Sequence, residues 1–543
     1  MTPTRPFDPD SVLDQLLAGR APAWPEPGNG PALTSEESAF VTTIRTWCDR
    51  RDPAWSLESS EQVPADVLDE LRTLGAFRIT IPTRYGGLGY SDTCLLAVLA
   101  VLTTAHATLC EIVAAHQVIG AVRPLMAFGT DTQQSRYLPA LLDQPSAFAL
   151  NEPDLGYGLG PLTTTAHYDP DEDCYRVSGT KTWITNATIA SHAVILVDLV
   201  PTQGSSGGIT ALLVSADDAG VSRGPRSSFA GLRGLPNGRL RFTNARIPAD
   251  RLIGTEGGGL DVALTCLAQC RAALPVTCLT TTTACLIDAA AWAREDRQTR
   301  RGLHHNPQTQ RHLARLMTLA LIANAVTRYT IDPDCAATDA ETAKLILNET
   351  ATEATDTLVQ LIGGRGYETA ESARRRHETG WQAERLWRDT RVTRIFDSST
   401  EMLKDLMAQP FDPPPGPASG APSSTPLAAL ADPAAQLHQY LSKHGEDPAV
   451  RAAAVDVALD LFTLYCLCRY QHELGEDHHP TTTAWDVLAG ELHQRVEAGL
   501  DTMHTPDRLA LTARLSAELT ATEDAQRLAP PFTRTLTDLG VPG

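Results

Sequence analysis

Apolar residues recur at helical spacing through most of the first 147 positions. VPADVLDELRTLGAF and the longer LLAVLAVLTTAHATLCEIVAAHQVIGAV each carry one continuous apolar face, which predicts amphipathic or buried helices. TSEESAFVTTIRTWCDR opens with Thr34 three residues before Glu37, the spacing of a capping box in which each side chain satisfies a free N–H near the other. Between the helices, IPTRYGGLGYS carries Gly86, Gly87 and Gly89, a signal for a tight turn or a close backbone approach. From 148 to 256 the period changes. YRVSGTKTWITNA, HAVILVDLV, GITALLVSA and GRLRFTNARI are short, rich in β-branched residues and bounded by Gly, Pro, Asn and Asp, which predicts an antiparallel sheet domain. Helical spacing returns over 257–409, most clearly in PDCAATDAETAKLILNETATEATDTLVQLIGG, whose closing glycines mark a helix end. A Pro-rich linker follows at 410–426, and 427–543 reads as a further helical region. The fold class expected is α+β: helices 1–147, sheet 148–256, helices 257–409, then an appended helical extension.

Composition narrows the functional classes. A chain of 543 residues with a net charge of −20 offers no concentrated basic surface, so neither nucleic acid nor an anionic membrane is an expected partner. A phosphate-bearing ligand stays possible, since a few arginines or a helix N-terminus suffice for it. The start, MTPTRPFDPDSVL, lacks the charged-then-apolar order of a signal peptide. No apolar run approaches the roughly 20 residues that span a bilayer. The eleven cysteines are scattered, and the closest spacings, Cys266/Cys270 and Cys466/Cys468, lack a matching second pair. No metal site is expected, and reduced thiols in a cytoplasmic protein are.

The stretch RLWRDTRVTRIFDSSTEM places one carboxylate, Asp397, after an apolar pair and before three hydroxyl residues. Taken alone it is either a base in a buried site or the N-cap of a following helix, where a side-chain oxygen must accept a free N–H. ALNEPDLGYG, KTWITN and QLIGGRGY are each ordinary structural sequences when considered singly.

Their order is not ordinary. IPTRYGGLG (81–89), NEPDLGYG (151–158), GTKTWITN (179–186), QLIGGRGY (360–367) and RDTRVTRIFDSSTE (388–401) together resemble the acyl-CoA dehydrogenase family of flavoproteins, over roughly residues 35–409. The resemblance implies an N-terminal helical domain, a central antiparallel β domain and a C-terminal four-helix bundle, with FAD as cofactor. It implies that Asn151 and Thr185 hydrogen-bond the flavin ring and that Trp183 packs against it. Arg297, Gln308, Gln360, Gly363 and Gly364 would reach the FAD of a neighbouring subunit, and Ser399 and Glu401 would contact FAD after the base. Tyr157, Arg271 and Ser398 fall on the substrate side. Asp397 falls on the catalytic carboxylate, which removes the proton α to a thioester while hydride leaves the β carbon. Such a proton is weakly acidic, so a dry carboxylate and donors to the enolate oxygen are both required.

Several positions depart from the family pattern. Aspartate in place of glutamate withdraws the carboxylate by roughly 1 Å or more, a displacement that can cost about a hundredfold in rate unless the substrate shifts to meet it. Ser398 replaces a glycine, Asn151 a threonine, Tyr157-Gly158 a Ser-Asp pair, and Ala268 an acid that precedes Arg271. A basic run, ARRRH, lies between Tyr367 and Arg388, where a phosphopantetheine phosphate or an acidic carrier protein could meet it. The expected function is α,β-dehydrogenation of an acyl thioester, on CoA or on an acyl or peptidyl carrier protein. An electron acceptor such as an electron-transfer flavoprotein and a homodimeric assembly go with it. The alternatives are a flavin monooxygenase or oxidase of the same fold, or a catalytically silent scaffold subunit.

Overall fold

The computed structural model describes residues 5–20, 22, 32–60, 62–154, 161–202, 205–295, 303–332, 335–411, 428–474 and 482–503. The chain forms two compact units. The larger comprises Pro25–Leu403 with Tyr470–Trp485; the smaller comprises Met1–Trp24, Lys404–Arg469 and Asp486–Gly543.

After a short first helix, α1 (Val12–Leu17), the larger unit opens with α2 (Ser35–Arg51), α3 (Pro53–Ser60), α4 (Ala65–Leu74), α5 (Asp92–Ala105), α6 (Ala107–Gln117), α7 (Val122–Phe128) and α8 (Asp131–Tyr137). The expected capping box forms. Thr34 Oγ1 accepts from the Glu37 amide at 3.2 Å, and Glu37 Oε2 accepts from the Thr34 amide at 2.9 Å. Ile44, Leu71, Phe77, Val98, Leu102 and Ile112 meet in one core, each fully buried. In the glycine turn, a Cβ at Gly87 would lie 1.9 Å from the Ile81 carbonyl oxygen, so no larger residue fits there.

Among the described residues the sheet has eight strands: β1 (Ser146–Ala149), β2 (Thr165–Asp169), β3 (Cys174–Ile184), β4 (His192–Leu199), β5 (Gly208–Ser215), β6 (Val221–Arg226), β7 (Gly238–Pro248) and β8 (Leu252–Ile253). Their order is β6-β7-β3-β2-β4-β5-β8, with β1 also on β4. The expected antiparallel sheet is corrected to a mixed one, because β1 and β2 both run parallel to β4. The physical reason lies in β4 itself. HAVILVDL is buried nearly throughout and lacks a solvent face, the texture of a central strand covered on both sides.

A bundle follows, built from α9 (Gly259–Arg294), α10 (Pro307–Thr330) and α11 (Ala337–Ile362), then the short α12 (Gly364–Tyr367), α13 (Ala370–Arg375) and α14 (Ala383–Thr390). Its fourth place is taken by α14, packed on α11 and α9, so three members are long and one is brief. The stretches 107–128 and 273–294 are long and apolar enough to cross a membrane by composition, contrary to the expectation from unbroken apolar runs. The first of them is 72% buried inside the protein, where its apolar face serves the core.

In the smaller unit, α1 packs with α16 (Ala428–His444); α15 (Thr400–Met407), α17 (Pro448–Leu474) and α18 (Thr482–Met503) each contribute part of their length to it, and α15 to α18 all follow α14 in the chain. Residues 5–20 therefore fold with the C-terminal extension and not with the N-terminal helices. The amphipathic DPDSVLDQLLAG finds its cover there: Leu13 and Leu16 are fully buried, and His438 Nδ1 sits 3.2 Å from the Leu17 carbonyl. Buried Asp14 accepts from Arg5 at 2.8 Å and from the Asp8 amide at 2.9 Å, and Phe7 stacks on Phe411. Asp14→Ala breaks a buried ion pair and should destabilise this unit by about 3 kcal/mol. Calorimetry should show its transition falling while that of the larger unit holds.

Candidate functional site

The NEP and TWIT segments meet through a buried ion pair. Lys181 Nζ donates to Glu152 Oε1 at 2.7 Å and to the Leu150 carbonyl at 3.0 Å, with both side chains essentially buried. Glu152 Oε2 also accepts from Thr163, at 2.6 Å from both its amide and its hydroxyl, and Oε1 accepts from the Thr164 amide at 3.0 Å. Burial alone would raise the Glu152 carboxyl, but the bonds from Lys181, Thr163 and Thr164 outweigh it and hold it at about 2. With Glu152 fixed, the Asn151 carbonyl accepts the Thr182 amide at 2.9 Å, which brings Asn151 alongside β3.

At the end of β3 the backbone turns left-handed at Trp183 (φ 56°) and Asn186 (φ 66°). Asn186 Nδ2 secures the turn by donating to the Ile112 carbonyl at 3.0 Å and the Ser146 carbonyl at 3.2 Å. Trp183 is left 55% exposed, an unusual position for so large an apolar side chain unless something planar covers it. Asn237 Nδ2 donates to Thr185 Oγ1 at 3.3 Å, while Asn237 Oδ1 is buried without a hydrogen-bond partner. An open indole beside a hydroxyl, an exposed amide (Asn151) and an unsatisfied carbonyl oxygen suits a flat heteroaromatic ring with polar edges. The donor set thus fits a flavin.

Asp397 stands on a second left-handed turn, with φ 51° at Asp397 and 73° at Ser398. The helix that follows is capped by Ser399, whose Oγ accepts the Met402 amide at 3.2 Å. The cap reading of Asp397 is thereby removed. What holds the turn is Lys344, wholly buried in the middle of α11. Its ammonium donates to three successive carbonyls, those of Phe396 (2.8 Å), Asp397 and Ser398 (2.7 Å). One helical turn on, Asn348 Nδ2 donates to the Thr393 carbonyl at 2.8 Å, and Arg394 Nε donates to Glu349 at 2.7 Å. One side of α11 therefore sets the Asp397 backbone, and both carboxylate oxygens of Asp397 are buried.

A small cavity lies among α5, α6, α9, α11 and α14, with Glu111, Cys110, Thr277, Thr281 and Leu386 in its wall. Glu111, on α6, is close enough to Asp397 for the two carboxylates to repel. Burial, then that repulsion, pushes its carboxyl up to about 7. Because Asn186 anchors on Ile112 of the same helix, α6 joins the Trp183 turn to the Asp397 side. The Arg388-Asp389 pair is a staple, not part of the reacting centre. Asp389 Oδ1 accepts the Leu232 amide at 2.6 Å and Arg388 donates to Glu58 at 2.8 Å.

Not every expected residue converges here. Gln308, at the start of α10, and Gln360, Gly363 and Gly364, at the end of α11, stand exposed, and nothing within 4 Å would meet a Cβ at either glycine. Glu401 is exposed on the first turn of α15, and Ser398 is half-buried. Tyr157 and Arg297 lie outside the described residues, as does the side chain of Arg271, whose backbone belongs to α9. The basic run is neutralised locally: Arg374 pairs with Asp52, Arg375 with Glu371, and Arg376 with Glu368 and Glu378. Sequence reasoning missed Lys344, Glu111 and the Glu152–Lys181 pair. A lone lysine within the apolar run AETAKLILNE was the available signal for the first.

Three family domains match in order: the acyl-CoA dehydrogenase N-terminal domain over 34–145, the middle domain over 147–245 and the C-terminal domain over 257–410. The chain belongs to the acyl-CoA dehydrogenase family. It is 34% identical over 422 residues to the probable acyl-CoA dehydrogenase FadE10 of Mycobacterium tuberculosis, covering 74% of this chain and 63% of that protein's length. A Bacillus anthracis acyl-CoA dehydrogenase solved as a complex with FAD superposes with a TM-score of 0.73 at 21% identity, over 90% of this chain and 92% of the other. The prolyl acyl carrier protein oxidase AnaB superposes at 0.61 and 23% identity, over 69% and 99%. The first of these superpositions, at 90% of this chain, reaches beyond the three family domains and so takes in part of the extension.

Two outcomes follow from the geometry. Lys344→Met strands three inward carbonyls and should cost about 3 kcal/mol, with hydrogen exchange rising first at 396–399. The Glu152 carboxyl, held below its ordinary 4.5, contributes stability that is present above that value and is lost as pH falls toward about 2. Acid titration of Lys181→Met should show less of this loss, with only the Thr163 and Thr164 bonds left to lower the carboxyl.

Proposed function

We propose that the protein is a FAD-dependent dehydrogenase that oxidises the α,β carbon–carbon bond of an acyl thioester, with Asp397 as the base. The observation that carries this is the Asp397 turn: a buried carboxylate on a left-handed backbone, fixed from behind by the Lys344 ammonium. Evolution of a mere helix cap needs none of this, since Ser399 already serves. FAD, when bound, supplies the hydride-accepting ring nitrogen. Asn151 and Thr185 would hold the ring edge, Trp183 would cover its face, and Ser399 would approach it from the Asp397 side. An Asp397 carboxylate oxygen takes the α proton, and its amide donates to the thioester oxygen as negative charge develops there. Lys344 keeps these two groups of one residue in fixed relation, which is where a shortened side chain has most need of a rigid backbone.

The exposed Gln308, Gln360, Gly363 and Gly364 suit contact with a second copy of the chain, and a homodimer would give them the neighbouring cofactor to reach. The thiol carrying the acyl group is CoA or a carrier protein's phosphopantetheine. Pairing of Arg375 and Arg376 with their own neighbours takes away the basic run as a docking surface for an acidic carrier. An electron-transfer flavoprotein is the expected partner for reoxidation.

The test is the visible spectrum of the FAD-loaded protein, recorded anaerobically while saturated acyl thioesters are added on CoA and on a carrier protein. Bleaching is expected, and Asp397→Asn should slow it by about 10²- to 10⁴-fold without loss of flavin. Bleaching by NAD(P)H and by no thioester would instead favour oxygen chemistry on this fold.

A further inference from the structure

Glu111 has no part in the scheme above, yet its position demands an account. Its side chain lines the cavity, and among the described residues it makes no hydrogen bond and no ion pair. Most of the other polar groups around it are committed. Arg385 Nη1 donates to the Ala105 carbonyl at 2.8 Å, Asp389 holds the Leu232 amide, and the Cys278 thiol donates to Asn348 Oδ1 at 3.5 Å. The hydroxyls of Thr103, Thr277 and Thr393 donate to backbone carbonyls of Leu99, Leu274 and Thr390. Glu111 is left facing a cavity of about 30 Å³, room for about two water-sized groups and too little for a long alkyl chain.

Glu111 and Asp397 lie close enough to repel, so ionisation of one opposes ionisation of the other until a proton or a cation offsets the Glu111 charge. The raised Glu111 carboxyl is the sign of that conflict. A proton would resolve it in the free protein. A bound cation would resolve it better, because an ammonium donates a charge-assisted hydrogen bond to Glu111 and offsets its repulsion of Asp397. Alanine, valine or leucine at position 111 would serve an aliphatic tail. A carboxylate there does not.

We propose that Glu111 is the specificity residue of the acyl pocket and that the acyl group it receives is short and carries a protonated amine. This rests on the dehydrogenation proposed above and adds the chemical class of the tail. The Asp397 carboxylate then takes the proton from an α carbon that is oriented from both ends, by the thioester on one side and the ammonium on the other.

The experiment uses three acyl groups that differ at one atom: β-alanyl (ammonium), 3-hydroxypropionyl (hydroxyl) and butyryl (methyl). Each is prepared as its CoA thioester and loaded on a stand-alone acyl carrier protein, and each is titrated against the FAD-loaded protein by flavin absorbance. In the wild type, β-alanyl should bind at least tenfold tighter than butyryl and than 3-hydroxypropionyl. Glu111→Gln, checked by its melting temperature and flavin content, should abolish the preference, and Glu111→Asp should retain it at lower affinity. Equal or tighter binding of butyryl or of 3-hydroxypropionyl in the wild type overturns the inference and leaves dehydrogenation standing wherever butyryl bleaches the flavin. A preference that survives in Glu111→Gln overturns the assignment to Glu111. Failure of all three to perturb the flavin overturns the dehydrogenase function, and this inference with it.

Discussion

A buried ammonium needs acceptors, and Lys344 finds three of them on a single turn. Its place in the middle of α11 would be untenable without the carbonyls of Phe396, Asp397 and Ser398. Those carbonyls can converge on one point only because the backbone there is left-handed, a conformation that Asp and Ser adopt at some cost. Each half of the arrangement makes the other possible. The result is a carboxylate whose position is dictated by a helix packed against α9 and α10, not by the loop that carries it in sequence.

The opposite wall is built on the same logic with different parts. Glu152 and Lys181 bury charge against charge, and the threonines after the NEP segment complete the carboxylate's shell. Asn186 then ties the end of β3 to α6 and β1. Arg388 and Asp389 fasten α14 to the loop at Leu232, where a Cβ on Gly231 would sit 2.3 Å from the Arg388 carbonyl oxygen. Polar side chains that bond to backbone therefore join sheet and bundle, and the apolar core fills the space between those joints. Precision in a site comes from such supporting shells more than from the groups that react.

Much of the fold was legible because hydrophobic period and capping chemistry act locally. The capping box at Thr34, the helix ends at glycine and the strands of the sheet domain all depend on neighbours a few residues away. The parallel joins of β1 and β2 to β4 were not legible, since strand direction is set by tertiary pairing. Five motifs in order pointed to the elements of the candidate site, with Asp397, Trp183, Thr185 and Asn151 among the residues they named. Lys344 escaped because a lysine at helical spacing looks the same whether it reaches solvent or three buried carbonyls. Glu111 escaped because its meaning depends on Asp397, which lies far along the chain. Whether Asp397 capped a helix was a question of one residue's register, and Ser399 answered it.

The union of residues 5–20 with α16 has a consequence for synthesis. His438 meets the Leu17 carbonyl across 421 positions of sequence, so α1 emerges from the ribosome roughly 20–80 s before its partner exists. Through that interval Leu13, Leu16 and Leu17 have no cover, while the family's three domains can already be folding behind them. A segment made long before its partner is thus among the last to find its place. An exposed apolar helix held in waiting is a natural substrate for chaperones, and the length of the wait is written into the chain's order.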